Sequence, residues 1–262
     1  MMTTSAMGLA LRGRAILVTR PAHQAEPLAR LIEDRGGDPV RFPALAIAPP
    51  SVPWVAKQAL GRLASFDLAI FVSANAVDSG LALLGGPWPQ SVVAAAMGEG
   101  TAAALHRHGV GGVVVSAAGA DSESLLCSDR LQNVRGRRVL ILRGEGGREL
   151  LADELRRRGA MVEYAQCYRR VRPATDPAPL IARWQQGAIH AVTVMSGQTL
   201  DNLFTMLGPA GQALLRATPL FAPHSSIVAR ARSAGIGQAV VTAPGDGGVL
   251  QAMAEWFRLA GR

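Results

Sequence analysis

Short apolar runs alternate along the chain with longer stretches of helical periodicity. Ala15–Thr19 is an unbroken apolar run of the kind made by a strand buried on both faces. Ala25–Arg35 then sets Leu28, Leu31 and Ile32 on one helical face, with Gly36 as its stop. Val40–Ile47 reads as a second extended segment, broken by Pro43. Leu68–Val72 is a predicted strand, Ala76–Leu84 a helix, Val92–Met97 a strand, Thr101–His108 a helix ending at Gly109, and Val113–Val115 a last strand. The second half repeats the alternation through Val139–Leu142, Glu149–Arg158, Val162–Arg170, Ala191–Met195, Leu200–Leu207, Pro219–Ala222, Ile227–Ser233 and Ala239–Val241. Strands alternating with helices predict parallel sheets with helices on both faces. Ligands of such sheets bind beyond the carboxyl ends of the strands.

The halves are copies of one unit. The offset that carries Gly13-Arg-Ala-Ile-Leu-Val-Thr-Arg20 onto Gly136-Arg-Arg-Val-Leu-Ile-Leu-Arg143 also carries Glu26 onto Glu149, Arg35 onto Arg158 and Gly36 onto Gly159. It still holds where Phe66–Ser73 meets Ile189–Ser196 and Asp78 meets Asp201. An ungapped register across two separated blocks marks a tandem repeat, with chemistry expected in the cleft between the copies.

Composition narrows the partners. The 262 residues carry a formal charge of +8, almost all from arginine, since Lys57 is the only lysine. An anionic partner follows. The basic residues are spread along the chain; of the densest groups, Arg135 with Arg137 and Arg138, and Arg156–Arg158, the second reads as a solvated helix face. Aromatic residues make up 5%, too few for a stacking platform. An acidic small molecule therefore fits at least as well as nucleic acid, because arginine forks pair carboxylates. No apolar run approaches bilayer length, Met1–Leu11 shows no secretory pattern, and Met1–Gly8 reads as a frayed tail. Cys127 and Cys167 are expected as reduced thiols in a cytoplasmic protein. No His or Cys spacing matches zinc, and no Gly-x-Ser-x-Gly elbow is present.

Every candidate group falls after a strand. Arg20 and Arg143 end the first strand of each copy, and Arg143 runs into Gly144-Glu-Gly-Gly147, whose amides suit an anion or form a tight turn. Ser73-Ala-Asn75 and Ser196-Gly-Gln198 follow the third strands, as helix caps, ligand contacts or both. Thr101 follows Gly98-Glu-Gly and reads as a cap or a donor to a ligand. Tyr168, one of two tyrosines, is a proton donor or a packing residue.

Taken together, Leu17-Val-Thr-Arg-Pro21, Phe66–Val77, Gly98-Glu-Gly-Thr-Ala-Ala-Ala-Leu105, Leu142-Arg-Gly-Glu-Gly-Gly-Arg-Glu149 and Cys167-Tyr-Arg-Arg170 resemble uroporphyrinogen-III synthases. The resemblance implies two similar α/β domains, each a parallel sheet with helices on both faces, joined by a two-strand antiparallel linker. It implies a discontinuous first domain, 1–42 with 172–262, and a second, 43–171, with Val40–Ile47 and Glu163–Val171 as crossing segments. The implied activity is a cyclising hydro-lyase of tetrapyrrole (haem) biosynthesis. It closes the acidic linear tetrapyrrole hydroxymethylbilane to uroporphyrinogen III, with ring D inverted and water lost. No cofactor, metal, nucleic acid or membrane is implied, and a monomer is expected. Tyr168 is implied as the catalytic proton donor, with substrate contacts from Arg20, Ser73, Asn75, Thr101, Arg143, Gly144, Ser196, Gln198 and Ser226. The last departs from the family, since Pro223-His-Ser-Ser-Ile227 puts Ile227 where a threonine is expected. Either Ser225 or Ser226 substitutes or that contact is missing. The other reading is a non-enzymatic two-lobed binding protein for an anionic metabolite.

Overall fold

The computed structural model describes residues 9–116, 119 and 121–260, so the tail read over Met1–Gly8 lies outside the described residues. In chain order the strands are β1 (Ala15–Val18), β2 (Asp38–Arg41), β3 (Ala46–Ala48), β4 (Leu68–Phe71), β5 (Val93–Ala96), β6 (Val114–Val115), β7 (Arg138–Gly144), β8 (Met161–Val171), β9 (Ala191–Thr193), β10 (Leu220–Ala222) and β11 (Ala239–Val241). The helices are α1 (Ala22–Glu33), α2 (Pro53–Gly61), α3 (Ala74–Leu84), α4 (Glu99–Arg107), α5 (Ser122–Leu126), α6 (Asp129–Gln132), α7 (Leu150–Arg157), α8 (Ala178–Gln185), α9 (Gly197–Ala217), α10 (Ser225–Ser233) and α11 (Gly245–Ala260). They divide into two compact units, one from the described part of Met1–Ala46 with Val171–Arg262, the other from Ile47–Arg170.

The first unit holds a sheet ordered β11-β10-β9-β1-β2, parallel throughout. Side chains alternate across it: Leu17, Val192 and Leu220 join one apolar cluster, Ile16, Val18, Ala191 and Phe221 another. The second unit holds a sheet ordered β3-β8-β7-β4-β5-β6, in which β8, β7, β4, β5 and β6 run parallel. Here Ala69, Phe71, Leu140 and Leu142 pack on one side, Leu68, Ile70, Val139 and Ile141 on the other. Burial on both faces is why these strands read as continuous apolar runs.

Several sequence expectations change. Val40–Ile47 is two strands, β2 in the first sheet and β3 beside β8 in the second. Pro43, lying between them, has no amide to donate to a ladder. Helix α1 begins at Ala22, α4 at Glu99, and α9 continues past Leu207 through a break at Gly208 (φ 60°, ψ −175°) ahead of Pro209. Arg158 is not part of a solvated face: its Nη1 donates to the Leu126 and Leu131 carbonyls at 2.8 and 2.9 Å, satisfying acceptors at the ends of α5 and α6. Both cysteines are free thiols, and burial pushes the Cys167 thiol up to about 12.

The two copies share one joint. The Asp67 amide donates to the Arg138 carbonyl while the Arg138 amide donates to Asp67 Oδ2, at 2.9 and 2.8 Å. At the matching positions the His190 amide donates to the Ala15 carbonyl and the Ala15 amide to His190 Nδ1, at 2.8 and 2.9 Å. Two bonds thus tie the start of one strand to the residue ahead of its neighbour in each sheet. Nδ1 accepts only while unprotonated. Partial burial, and then the Arg14 charge, hold the His190 imidazole below its ordinary value of 6.5. A folded-state value below the unfolded one contributes stability that is complete above about 6.5 and declines as pH falls toward the lowered value. His190→Asp restores the acceptor found in the other copy. Thermal melts between neutral and mildly acidic pH are expected to show a smaller acid-induced loss in His190→Asp than in the parent; equal losses would remove His190 as the cause.

Candidate active site

The site grows from a fault in one ladder. Strands β7 and β8 pair regularly from Arg138↔Met161 to Arg143↔Gln166, and then Gly144 stands opposite Tyr168. One extra residue on β8 is a β-bulge, which re-aims the side chains that follow it. Upstream, Tyr164 packs with one apolar cluster and Ala165 with the other. Past the bulge, consecutive Cys167 and Tyr168 both pack with Ala165, each 1% exposed. Gly144 makes room for the ring, since a Cβ there would lie 2.8 Å from Tyr168 Cε2 and Cζ.

The phenol oxygen of Tyr168 lies 3.1 Å from Ser73 Oγ. Ser73 is the N-cap of α3 and accepts the Ala76 amide at 3.2 Å, so the start of a helix fixes the hydroxyl against Tyr168. Arg170 Nη2 approaches the same phenol oxygen at 3.5 Å, with its guanidinium 5.9 Å from the ring centre.

Arg143 is the last residue but one of β7, with only 6% of its surface exposed. Its Nη1 donates to Glu149 Oε1 at 2.9 Å, and its guanidinium carbon lies 4.7 Å from the centre of the Tyr164 ring, a cation–π arrangement. The Tyr164 hydroxyl donates to the other Glu149 oxygen. That bond, and after it the one from Arg143, hold the Glu149 carboxyl below the usual range. Burial first, then Glu149, pushes the Tyr164 phenol up. Gly147, at φ 122°, folds the loop over the cation; a Cβ there would lie 2.5 Å from Arg143 Nη2.

These groups surround a cavity of about 300 Å³ in the second unit. Arg143, Gly144–Gly147, Arg148, Tyr164, Tyr168 and Arg170 form one side, and Val72, Met97 and Asp121–Glu123 line it further. Val72 and Met97 directly follow β4 and β5, so the cavity opens at the carboxyl edge of the sheet, where α/β sheets bind ligands. Among the described residues no three His, Cys, Asp or Glu side chains group as metal ligands.

Of the predicted site residues, the structure brings together Arg143, Gly144 and Tyr168 at this cavity, with Ser73 touching Tyr168. Asn75, in the first turn of α3, and Thr101 do not line it. Thr101 is not a helix cap: Gly98 takes that position, and Thr101 is buried in the first turn of α4. In the first unit, Arg20 Nη2 pairs with Asp246 at 2.5 Å, while its buried Nε has no partner among the described residues. Ser196 caps α9 by accepting the Thr199 amide, Gln198 follows in the first turn, and Ser226 is exposed at the start of α10 beside buried Ile227. Tyr164, Arg148 and Arg170 were not foreseen as cavity residues, nor was Glu149 as the partner of Arg143 and Tyr164. The repeat does supply one signal: Tyr168 falls on Leu45 of the first copy, and Tyr164 falls on Arg41, so both tyrosines are additions to the shared frame.

Comparison with known proteins assigns the family. A family model described as uroporphyrinogen-III synthase HemD matches residues 26–248. The chain is 36% identical over 197 residues to the uroporphyrinogen-III synthase of Escherichia coli (strain K12), covering 74% of this chain and 80% of that protein. It is 31% identical over 202 residues to that of Synechococcus elongatus, covering 75% and 76%. Among solved structures, a mutant uroporphyrinogen III synthase from Thermus thermophilus shares the fold with a TM-score of 0.57 at 22% identity, covering 94% of this chain and 98% of that one. The Helicobacter pylori uroporphyrinogen-III synthetase does so with 0.57 at 16% identity, covering 95% and 100%. With most of the chain matched in both sequence and fold, the protein belongs to the uroporphyrinogen-III synthase family.

Proposed function

We propose that the Tyr168 cavity is where this chain performs the reaction of its family, closure of hydroxymethylbilane to uroporphyrinogen III. The observation that carries this reading is a phenol 1% exposed that nonetheless lines a cavity with three arginines, Arg143, Arg148 and Arg170. Loss of the terminal hydroxyl as water needs one proton, and Tyr168 is the donor. When Ser73 directs its hydroxyl hydrogen at the phenol oxygen, the Tyr168 O–H is left to point at the leaving group. Arg170 stands beside the oxygen on which negative charge develops as the proton leaves. The remaining task is conformational, to hold an octacarboxylate chain folded so that ring D inverts before closure. Arginines and the amides of Gly144–Gly147 suit carboxylates.

Arg20, Ser73, Asn75, Thr101, Ser196, Gln198 and Ser226 are proposed as further contacts from the strand ends of their own units. A monomer acting in the cytoplasm without nucleic acid completes the reading. A purely binding protein would need no proton donor, and family membership does not favour it.

Incubating the protein with hydroxymethylbilane and separating the oxidised product isomers tests this directly. Isomer III is expected; isomer I alone, at the spontaneous rate, would overturn the function. Tyr168→Phe is expected to lower kcat by about 100-fold, the usual worth of a positioned general acid, with the fold intact. Full activity in that variant would release Tyr168 from the role. Gly144→Ala pushes a methyl into the Tyr168 ring, so activity is expected to fall with little loss of secondary structure by circular dichroism. Parent-like activity in that variant would show that the position of the ring is unimportant.

A further inference from the structure

Resting on the reading of this cavity as the substrate site, we propose that Arg143 is a preset receptor for one substrate carboxylate and that Glu149 and Tyr164 are the positioning residues that hold it. A nearly buried guanidinium is costly unless its charge and its N–H groups are met. Glu149 supplies the charge and accepts from Nη1. The guanidinium carbon lies over the Tyr164 ring, and the Tyr164 hydroxyl anchors the second carboxylate oxygen. Neither Nε nor Nη2 has a hydrogen-bond partner among the described residues, and neither is fully enclosed. They form the other edge of the fork on a side chain that lines the cavity. Side-on pairing of a carboxylate with Nε and Nη2 leaves the Glu149 bond in place. Glycine at 147, with φ 122°, accommodates the loop beside Nη2, where a Cβ would lie 2.5 Å from that nitrogen.

The first copy shows what the arrangement adds. Arg20 matches Arg143, but Glu26, which matches Glu149, pairs with Arg30 and Arg41 instead. Arg20 takes its counter-charge from Asp246 on α11. The triad of arginine, glutamate and tyrosine therefore exists only in the copy that also carries Tyr168.

Steady-state kinetics with hydroxymethylbilane, and anaerobic calorimetry with uroporphyrinogen III, separate the roles. Arg143→Gln is expected to raise KM and Kd by about tenfold or more, the worth of a charge-assisted bond, with kcat changed by less than about threefold. Arg143→Lys keeps the charge but not the fork and is expected to weaken binding in the same direction, which covers the case that the glutamine variant does not fold. Glu149→Gln retains an oxygen for Nη1 and a second hydrogen bond to Tyr164 while removing a negative charge near the incoming carboxylate, so KM is expected to stay level or fall. Glu149→Ala frees the guanidinium and is expected to raise KM. Parent-like KM in both arginine variants would overturn the proposal, as would an equal rise in Glu149→Gln and Glu149→Ala. If the parent makes no isomer III, the functional reading itself fails; if it makes isomer III and the arginine variants bind as the parent does, only this inference fails.

Discussion

Between Arg143 and Gly144 the ladder joining β7 to β8 loses its register by one residue, and the site depends on that slip. In an unbroken strand Tyr168 would share a face with Tyr164 and Gln166, because side chains alternate with period two. The bulge turns it to the face of Ala165 and Cys167. There its hydroxyl meets Ser73 at the start of α3, and its ring fills the space that Gly144 leaves empty. The same irregularity sits where β7 delivers Arg143 to the edge of the sheet. A buried phenol on one side and a buried cation on the other thus both hang from one local irregularity.

Duplication supplied the frame and left the chemistry to divergence. The paired bonds of Asp67 with Arg138 and of His190 with Ala15 occupy matching positions and make the same joint with different acceptors. The helices after the third strands are braced alike: Asp78 pairs with His108 at 2.9 Å, and both oxygens of Asp201 accept from the Nε and Nη2 edge of the Arg230 fork. His108, for which the sequence offered no role, is thus a strut between α3 and α4. At the cavity the copies part, with Tyr168 against Leu45 and Tyr164 against Arg41. Charge compensation diverges as well, since Glu149 faces Arg143 while Glu26 faces Arg30 and Arg41.

Much of the fold was legible because strands such as β1 and β4 are buried on both faces and leave continuous apolar runs. The helices that escaped notice had weaker marks. The four and five residues of α6 and α5 are too few for periodicity to show. Helix α11 opens on Gly245-Asp-Gly-Gly248, which reads as a loop. Helix α2 carries Trp54 and Val55 on its exposed side, which blurs its apolar face. At the site, Arg143 and Gly144 were visible from their place after a strand, and Tyr168 only through the family resemblance. The bulge was not, because register depends on a partner strand and no local pattern encodes it. Glu149 and Tyr164 were hidden for a related reason: their importance lies in contacts with Arg143 rather than in spacing.

The chain has two tyrosines, and both line the cavity. Tyrosine labelled with carbon-13 at Cζ therefore gives two resonances, assigned by the loss of one in Tyr168→Phe. Titrating uroporphyrinogen III under anaerobic conditions into the labelled parent is the most direct test of where the tetrapyrrole binds. Movement of both resonances, saturating together, is the expected result. Saturable binding that leaves both resonances where they were would place the tetrapyrrole elsewhere and contradict the assignment of this cavity.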